Sequence, residues 1–107
     1  RPILTEEQIV RGDLAMDLTA HRVTRDGMPL HLGPTEFRML RHFMEHPGRV
    51  LSRSQLLDAV WGNESEIEER TVDVHIRRLR QAVNVGKGGD VIRTVRSAGY
   101  AFEPPAA

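Results

Sequence analysis

The sequence predicts an α+β domain in which a small antiparallel sheet is followed by three helices and a closing β-hairpin, and three observations predict it. Apolar and polar residues alternate through residues 12–32, two helix starts and an apolar stripe at helical spacing occupy 33–84, and strand-forming residues return at 90–102. In the first region Leu14 with Met16, Arg22 with Val23, and Leu30 with Leu32 mark short strands. Asp26-Gly27 is a tight-turn pair between the last two, because glycine accepts positive φ at little cost.

The first helix starts at Gly33 as N-cap, with Pro34 at the first helical position and Glu36 three residues after the cap. Phe37, Leu40, Phe43 and Met44 recur on one face, and Pro47-Gly48 ends the run. The second helix opens on a capping box, Ser52-x-x-Gln55, with Leu51 and Leu56 placed as a hydrophobic staple, and runs to about Trp61. An acidic connector, GNESEIEE, follows at Gly62–Glu69 and is too polar to form a core segment.

The third helix, starting at Arg70 and expected to end near Asn84, is the most informative stretch. Val72, Ile76, Leu79 and Val83 form one narrow apolar seam at about 3.6 residues per turn, while Arg70, Thr71, Val74, Arg77, Arg78 and Gln81 face the other way. An arginine fork donates in pairs to phosphate oxygens or to the O6 and N7 edge of guanine, and a short apolar residue such as Val74 fits against a thymine methyl. The competing reading is a solvated helix face. A glycine-rich loop at Val85–Gly89 leads to a hairpin of Asp90–Val95 and Tyr100–Phe102 across Arg96-Ser-Ala-Gly99. Strands, three helices and a hairpin with an arginine at its tip make a winged helix-turn-helix.

The 107 residues form one domain, with 15 Lys and Arg against 15 Asp and Glu. That neutral sum gives no general attraction to polyanions, so distribution matters more. Residues 70–107 carry seven basic and three acidic side chains, whereas the first 69 carry eight and twelve. Without cysteine, disulfides and thiolate metal sites are excluded. No apolar run approaches the roughly 20 residues of a membrane span, so a soluble, cytoplasmic protein with no membrane partner is expected. The polar opening, without methionine, reads as a severed linker at residues 1–11, ahead of a domain at 12–104 and a tail at 105–107.

The segments LGPTEFRML, RVLSRSQLLDAVWG, ERTVDVHIRRLRQAV and IRTVRSAGYAF, in that order, resemble the effector domain of OmpR/PhoB-type response regulators over nearly the whole chain. GPTEF, VWG and RTVDVHIRRLR resemble most closely the phosphate-starvation branch of that family. The resemblance implies a winged-helix activator that binds double-stranded DNA and follows a phosphorylatable receiver domain addressed by a sensor kinase. It further implies tandem direct repeats as target, bound head to tail by copies that are monomers in solution. Carried over residue by residue, it makes Arg78 the base-reading side chain, with Thr71 and Val74 beside it. Arg70, His75, Arg77 and Arg80, with Trp61, become phosphate contacts; Thr94, Arg96 and Tyr100 belong to the wing, with Arg96 entering the minor groove. Each has a simpler rival: Trp61 and Tyr100 as core, His75 as a half-exposed flank residue, Arg80 as neutralising the helix C-terminus. The acidic connector, through Trp61, Gly62, Glu66, an exposed Ile67 and Glu69, would meet the RNA polymerase sigma subunit, against the simpler reading that its acids only keep the loop solvated.

One departure from the family pattern lies in the wing, where Arg-Gly-x-Gly-Tyr is usual and Ser97 replaces the first glycine. Two rival functions remain to be weighed. A winged helix used for protein contacts alone would keep the fold but leave Arg77, Arg78 and Arg96 without a task. A zinc peptidase would use His42-x-x-Glu45-His46, an H-x-x-E-H pattern on one helix face. Against the peptidase, Phe43 and Met44 belong to the core pattern and Pro47 ends the helix at once. No cofactor, no metal and no enzymatic activity are expected.

Overall fold

A computed structural model of the chain describes residues 8–62, 66–85 and 89–104. The first part of the expected linker, the tail at 105–107, and portions of the acidic connector and glycine-rich loop lie outside the described residues.

Four antiparallel strands open the fold: β1 Gln8–Arg11, β2 Leu14–Asp17, β3 Arg22–Arg25 and β4 Met28–Leu30, paired in sequence order. The end of the stretch read as linker is therefore a strand, its Ile9 opposite Met16 and its Arg11 opposite Leu14. Short length and exposed polar neighbours hid it from the periodicity. The turn between β3 and β4 has positive φ at both Asp26 and Gly27, 52° and 81°, the conformation that matches the twist of a two-residue hairpin. Leu32 falls outside β4.

Helix α1, Pro34–Glu45, begins at the extended Gly33 and buries Phe37, Met39, Leu40, Phe43 and Met44. It stops where Pro47 withdraws the next donor. Helix α2, Arg53–Trp61, has the full capping box: Ser52 Oγ accepts from the Gln55 amide at 3.0 Å, and Gln55 Oε1 accepts from the Ser52 amide at 2.8 Å. Helix α3 spans Arg70–Val83 and seats Val72, Ile76, Leu79 and Val83 in the core.

The chain closes with β6 Ile92–Val95 and β7 Gly99–Phe102. The expected hairpin is enlarged by a two-residue strand, β5 Val50–Leu51, which lies between α1 and α2 and pairs with β7. Two residues are too few for a period-two signal. Gly99 is required in this sheet, because a Cβ there would come within 2.0 Å of the Leu51 carbonyl oxygen.

The core joins these layers: Leu14, Met16 and Val23 from the first sheet, the inner faces of the three helices, and Ile92 and Phe102 from the second. Arg25 is the exception, only 2% exposed although charged. It shares the inward face of β3 with Val23 and reaches across the domain to α3. Its Nε donates to Asp13 Oδ2 at 3.1 Å, and its Nη1 to the carbonyl oxygens of Val83 at 2.8 Å and Gly89 at 2.7 Å. A guanidinium suits the partial negative charge of a helix C-terminus, so the first sheet holds the far end of α3.

Candidate nucleic-acid interface

Because the apolar seam of α3 is buried, its opposite face is fixed toward solvent. Val74 is 47% exposed on that face, and Arg77, Arg78 and Gln81 are exposed around it. Arg77 and Arg78 make no ion pair or hydrogen bond among the described residues. Two cationic forks thus flank an exposed apolar side chain with nothing among the described residues competing for them. Thr71 is half-buried one turn earlier. Arg70, at the helix start, is exposed and donates from Nε to Glu68 Oε1 at 2.6 Å. An exposed pair of this kind is worth little and exchanges readily.

The flanks of the same helix are engaged. Asp73 Oδ1 accepts from Arg53 Nε of α2 at 2.8 Å and from the Tyr100 hydroxyl of β7 at 2.5 Å. Burial pushes the Asp73 carboxyl up, but the Arg53 and Tyr100 hydrogen bonds and the Arg53 charge outweigh it and hold the group below its ordinary value. Burial, followed by the Asp73 hydrogen bond, raises the Tyr100 hydroxyl. Arg80 donates from Nη2 to the Ile92 carbonyl oxygen at 2.8 Å and to Thr94 Oγ1 at 2.7 Å, and its guanidinium lies 5.5 Å from the Tyr100 ring centre. On the other flank His75 Nδ1 donates to Glu36 Oε2 of α1 at 2.6 Å, both side chains being nearly buried, and the His75 ring lies 5.2 Å from that of Trp61.

These ties divide the candidate residues. Arg70, Thr71, Val74, Arg77 and Arg78 share the outward side of α3, and Arg96 is exposed at the hairpin tip. His75, Arg80 and Tyr100, read from sequence as facing DNA, are turned into contacts between elements. Thr94 is exposed but accepts from Arg80, and Trp61 is half-buried against the core. The reason is local geometry: positions 73, 75 and 80 border the apolar seam, where side chains reach α1, α2 and the hairpin before they reach solvent. Arg53, which the sequence did not single out, and Glu36, legible there only as a helix-start residue, are the partners of Asp73 and His75, while Arg25 anchors the C-terminal end of α3. An arginine in the inward register of β3 was a legible signal for the last; nothing local marked the other two as partners.

The hairpin turn supplies a strained position. Ser97 has φ of 67°, so the position where the family carries glycine does adopt left-handed backbone. A serine there costs on the order of 1 kcal/mol, and the turn is closed by the Ala98 amide donating to the Val95 carbonyl at 2.9 Å. In the acidic connector Gly62 caps α2 with φ of 92°, Glu66 and Glu69 are exposed, and Glu69 is the N-cap of α3. Ile67, expected to be exposed, is half-buried.

With this geometry in view, the family described as transcriptional regulatory protein, C terminal, matches residues 27–102. The chain belongs to that family. It is an OmpR/PhoB-type response-regulator effector domain, a class of transcription regulators and not of enzymes. It is 58% identical over 92 residues to the phosphate regulon transcriptional regulatory protein PhoB of Rhizobium meliloti, covering 86% of this chain and 40% of that protein. To PhoB of Escherichia coli it is 52% identical over 101 residues, 94% of this chain and 44% of that one. The chain thus spans about two-fifths of the length of these relatives. Among solved structures, the RstA DNA-binding domain of Klebsiella pneumoniae, in complex with the RstA box, superposes with a TM-score of 0.79 at 32% identity, covering 92% of this chain and 99% of that domain. No helix among the described residues of this effector domain is long and apolar enough to cross a membrane.

Proposed function

We propose that this effector domain reads double-stranded DNA by sequence, with α3 in the major groove and the β6–β7 hairpin beside it. The observation that carries the reading is the pair Arg77 and Arg78, exposed and unengaged among the described residues, on either side of Val74. Arg78 donates to a base edge, with Val74 and Thr71 against neighbouring methyl groups; Arg70 and Arg77 neutralise phosphates. Arg96 reaches the minor groove, where narrow A·T tracts concentrate negative potential. His75, Arg80, Thr94, Tyr100 and Trp61 act by holding α3 and the hairpin in place. The RstA relative, solved on its own box, supports the assignment by analogy of fold and sequence.

The similarity to PhoB supports a finer reading: activation of phosphate-starvation genes from tandem direct repeats, by a regulator whose receiver domain answers a sensor kinase. In that reading domains that are monomeric in solution pair head to tail on DNA. The connector, through Trp61, Gly62, Glu66, Ile67 and Glu69, meets the sigma subunit of RNA polymerase. Fluorescence anisotropy on a duplex with PhoB-type repeats and on a scrambled duplex, each across a salt series, tests both levels. Preference for the repeats that persists as salt rises supports the phosphate-regulon assignment. Equal, steeply salt-sensitive binding removes that assignment, and no binding at low salt removes DNA recognition altogether.

A further inference from the structure

The C-terminal turn of α1 carries a cluster that DNA recognition does not use. His42, Glu45 and His46 stand at i, i+3 and i+4, and one donor atom from each lies within 4.8 Å of the others. His46 is the C-cap of the helix, and its ring Nδ1 is 2.9 Å from the His42 carbonyl oxygen. A carbonyl oxygen only accepts, so Nδ1 carries a proton and Nε2 is the ring nitrogen left to ligate a metal. Metal-binding histidines are oriented and held in one tautomer by this kind of bond. The His42 ring is tilted 49° to that of His46, with centroids 4.5 Å apart. Glu45 uses Oε2 to accept from exposed Arg41 at 3.1 Å, leaving Oε1 for a cation.

Histidine 42 and 46 also border a depression of about 370 Å³, shared with Arg49, Gln55 and Asp58. Asp58 places a further carboxylate in this depression from the α2 side. We propose that His42, Glu45 and His46 bind a divalent transition-metal ion of the zinc class, which clamps the end of α1. Two imidazoles and one carboxylate suit zinc, copper or nickel and not magnesium or calcium. Zinc bonds of about 2.0–2.2 Å need donors about 3.3–3.5 Å apart, a closure that small side-chain rotations provide from the spacing seen. The role is structural: all three ligands come from the last turn of α1 and its cap, so a bound ion would tie off the helix end, and the chain's family is not enzymatic.

The test is isothermal titration of the untagged chain with zinc, with magnesium as control, paired with thermal melts in each metal. The expected result is one equivalent of zinc and a melting temperature raised by zinc alone, with affinity weakened about tenfold or more in His42→Gln and in His46→Gln. Unchanged affinity in the variants would move the metal to His21, His31 or His75 and overturn the proposal; so would the absence of stoichiometric binding. Cobalt titration of the unmodified chain gives an answer that does not depend on variant folding. An intense four-coordinate visible band is expected, and the pale spectrum of hydrated cobalt would contradict the site.

Discussion

The outer face and the flanks of α3 are built from the same residue types and do opposite things. Arg77 and Arg78 are exposed and unengaged among the described residues, while Arg80, one turn on, gives its donors to Ile92 and Thr94 and stacks over Tyr100. Asp73 and His75 on the flanks are likewise committed, to Arg53 and Tyr100 and to Glu36. A recognition helix needs both. A fork aimed at a base edge is useful only if the helix carrying it cannot roll, and the ties of Asp73, His75 and Arg80 to neighbouring elements hold the helix in place.

Substitutions separate the two regions, and the largest effect is expected at the anchor beneath the helix. Arg25→Ala leaves Asp13 and the Val83 and Gly89 carbonyls without their buried partner, and unfolding in denaturant is expected to show a loss of about 3–5 kcal/mol. Arg80→Ala comes next, with about 1.5–3 kcal/mol lost for charge-assisted hydrogen bonds, read in the same assay. Arg78→Ala is expected to leave stability within about 0.5 kcal/mol and to cost about 1–3 kcal/mol of binding to the preferred sequence. Arg77→Ala is expected to weaken all duplexes alike and lower the salt slope by about one. Ser97→Gly relieves left-handed backbone at the hairpin tip and is expected to stabilise by a few tenths to about 1 kcal/mol, since glycine also loses more entropy on folding.

The smallest signal is in pH. The folded Asp73 carboxyl sits below its ordinary value, so its contribution to stability is present above about pH 4, the unfolded range, and is lost as pH falls through the folded value. Asp73→Asn is expected to remove that component of acid sensitivity in urea melts between neutral pH and pH 3, and an unchanged acid limb would contradict it.

The apolar seam, the capping box and the Asp26-Gly27 turn were legible because each is a local pattern with one physical solution. Seam residues Val72, Ile76, Leu79 and Val83 are all buried, and both bonds of the Ser52–Gln55 box form. Strands β1 and β5 were not legible: one sets only Ile9 and an exposed Val10 between polar ends and the other is two residues long, and both exist because a partner strand offers hydrogen bonds. The outer face of α3 could be named from sequence, and a core or flank place for Tyr100 and His75 stood as a rival reading, but the partners that engage His75, Arg80 and Tyr100 could not be named. Periodicity places a side chain on a helix face, but partners distant in sequence, Glu36, Ile92 and Asp73, decide what it touches.

The division of labour along α3 is tested most directly by measuring Arg78→Ala and Arg80→Ala side by side, each by denaturant unfolding and by anisotropy on repeat and scrambled duplexes. Arg78→Ala is expected to keep its stability and lose preference for the repeats, while Arg80→Ala is expected to lose stability and retain preference in its folded fraction. Equal weakening of both duplexes by Arg78→Ala, or a stability loss at Arg78 matching that at Arg80, would contradict that division.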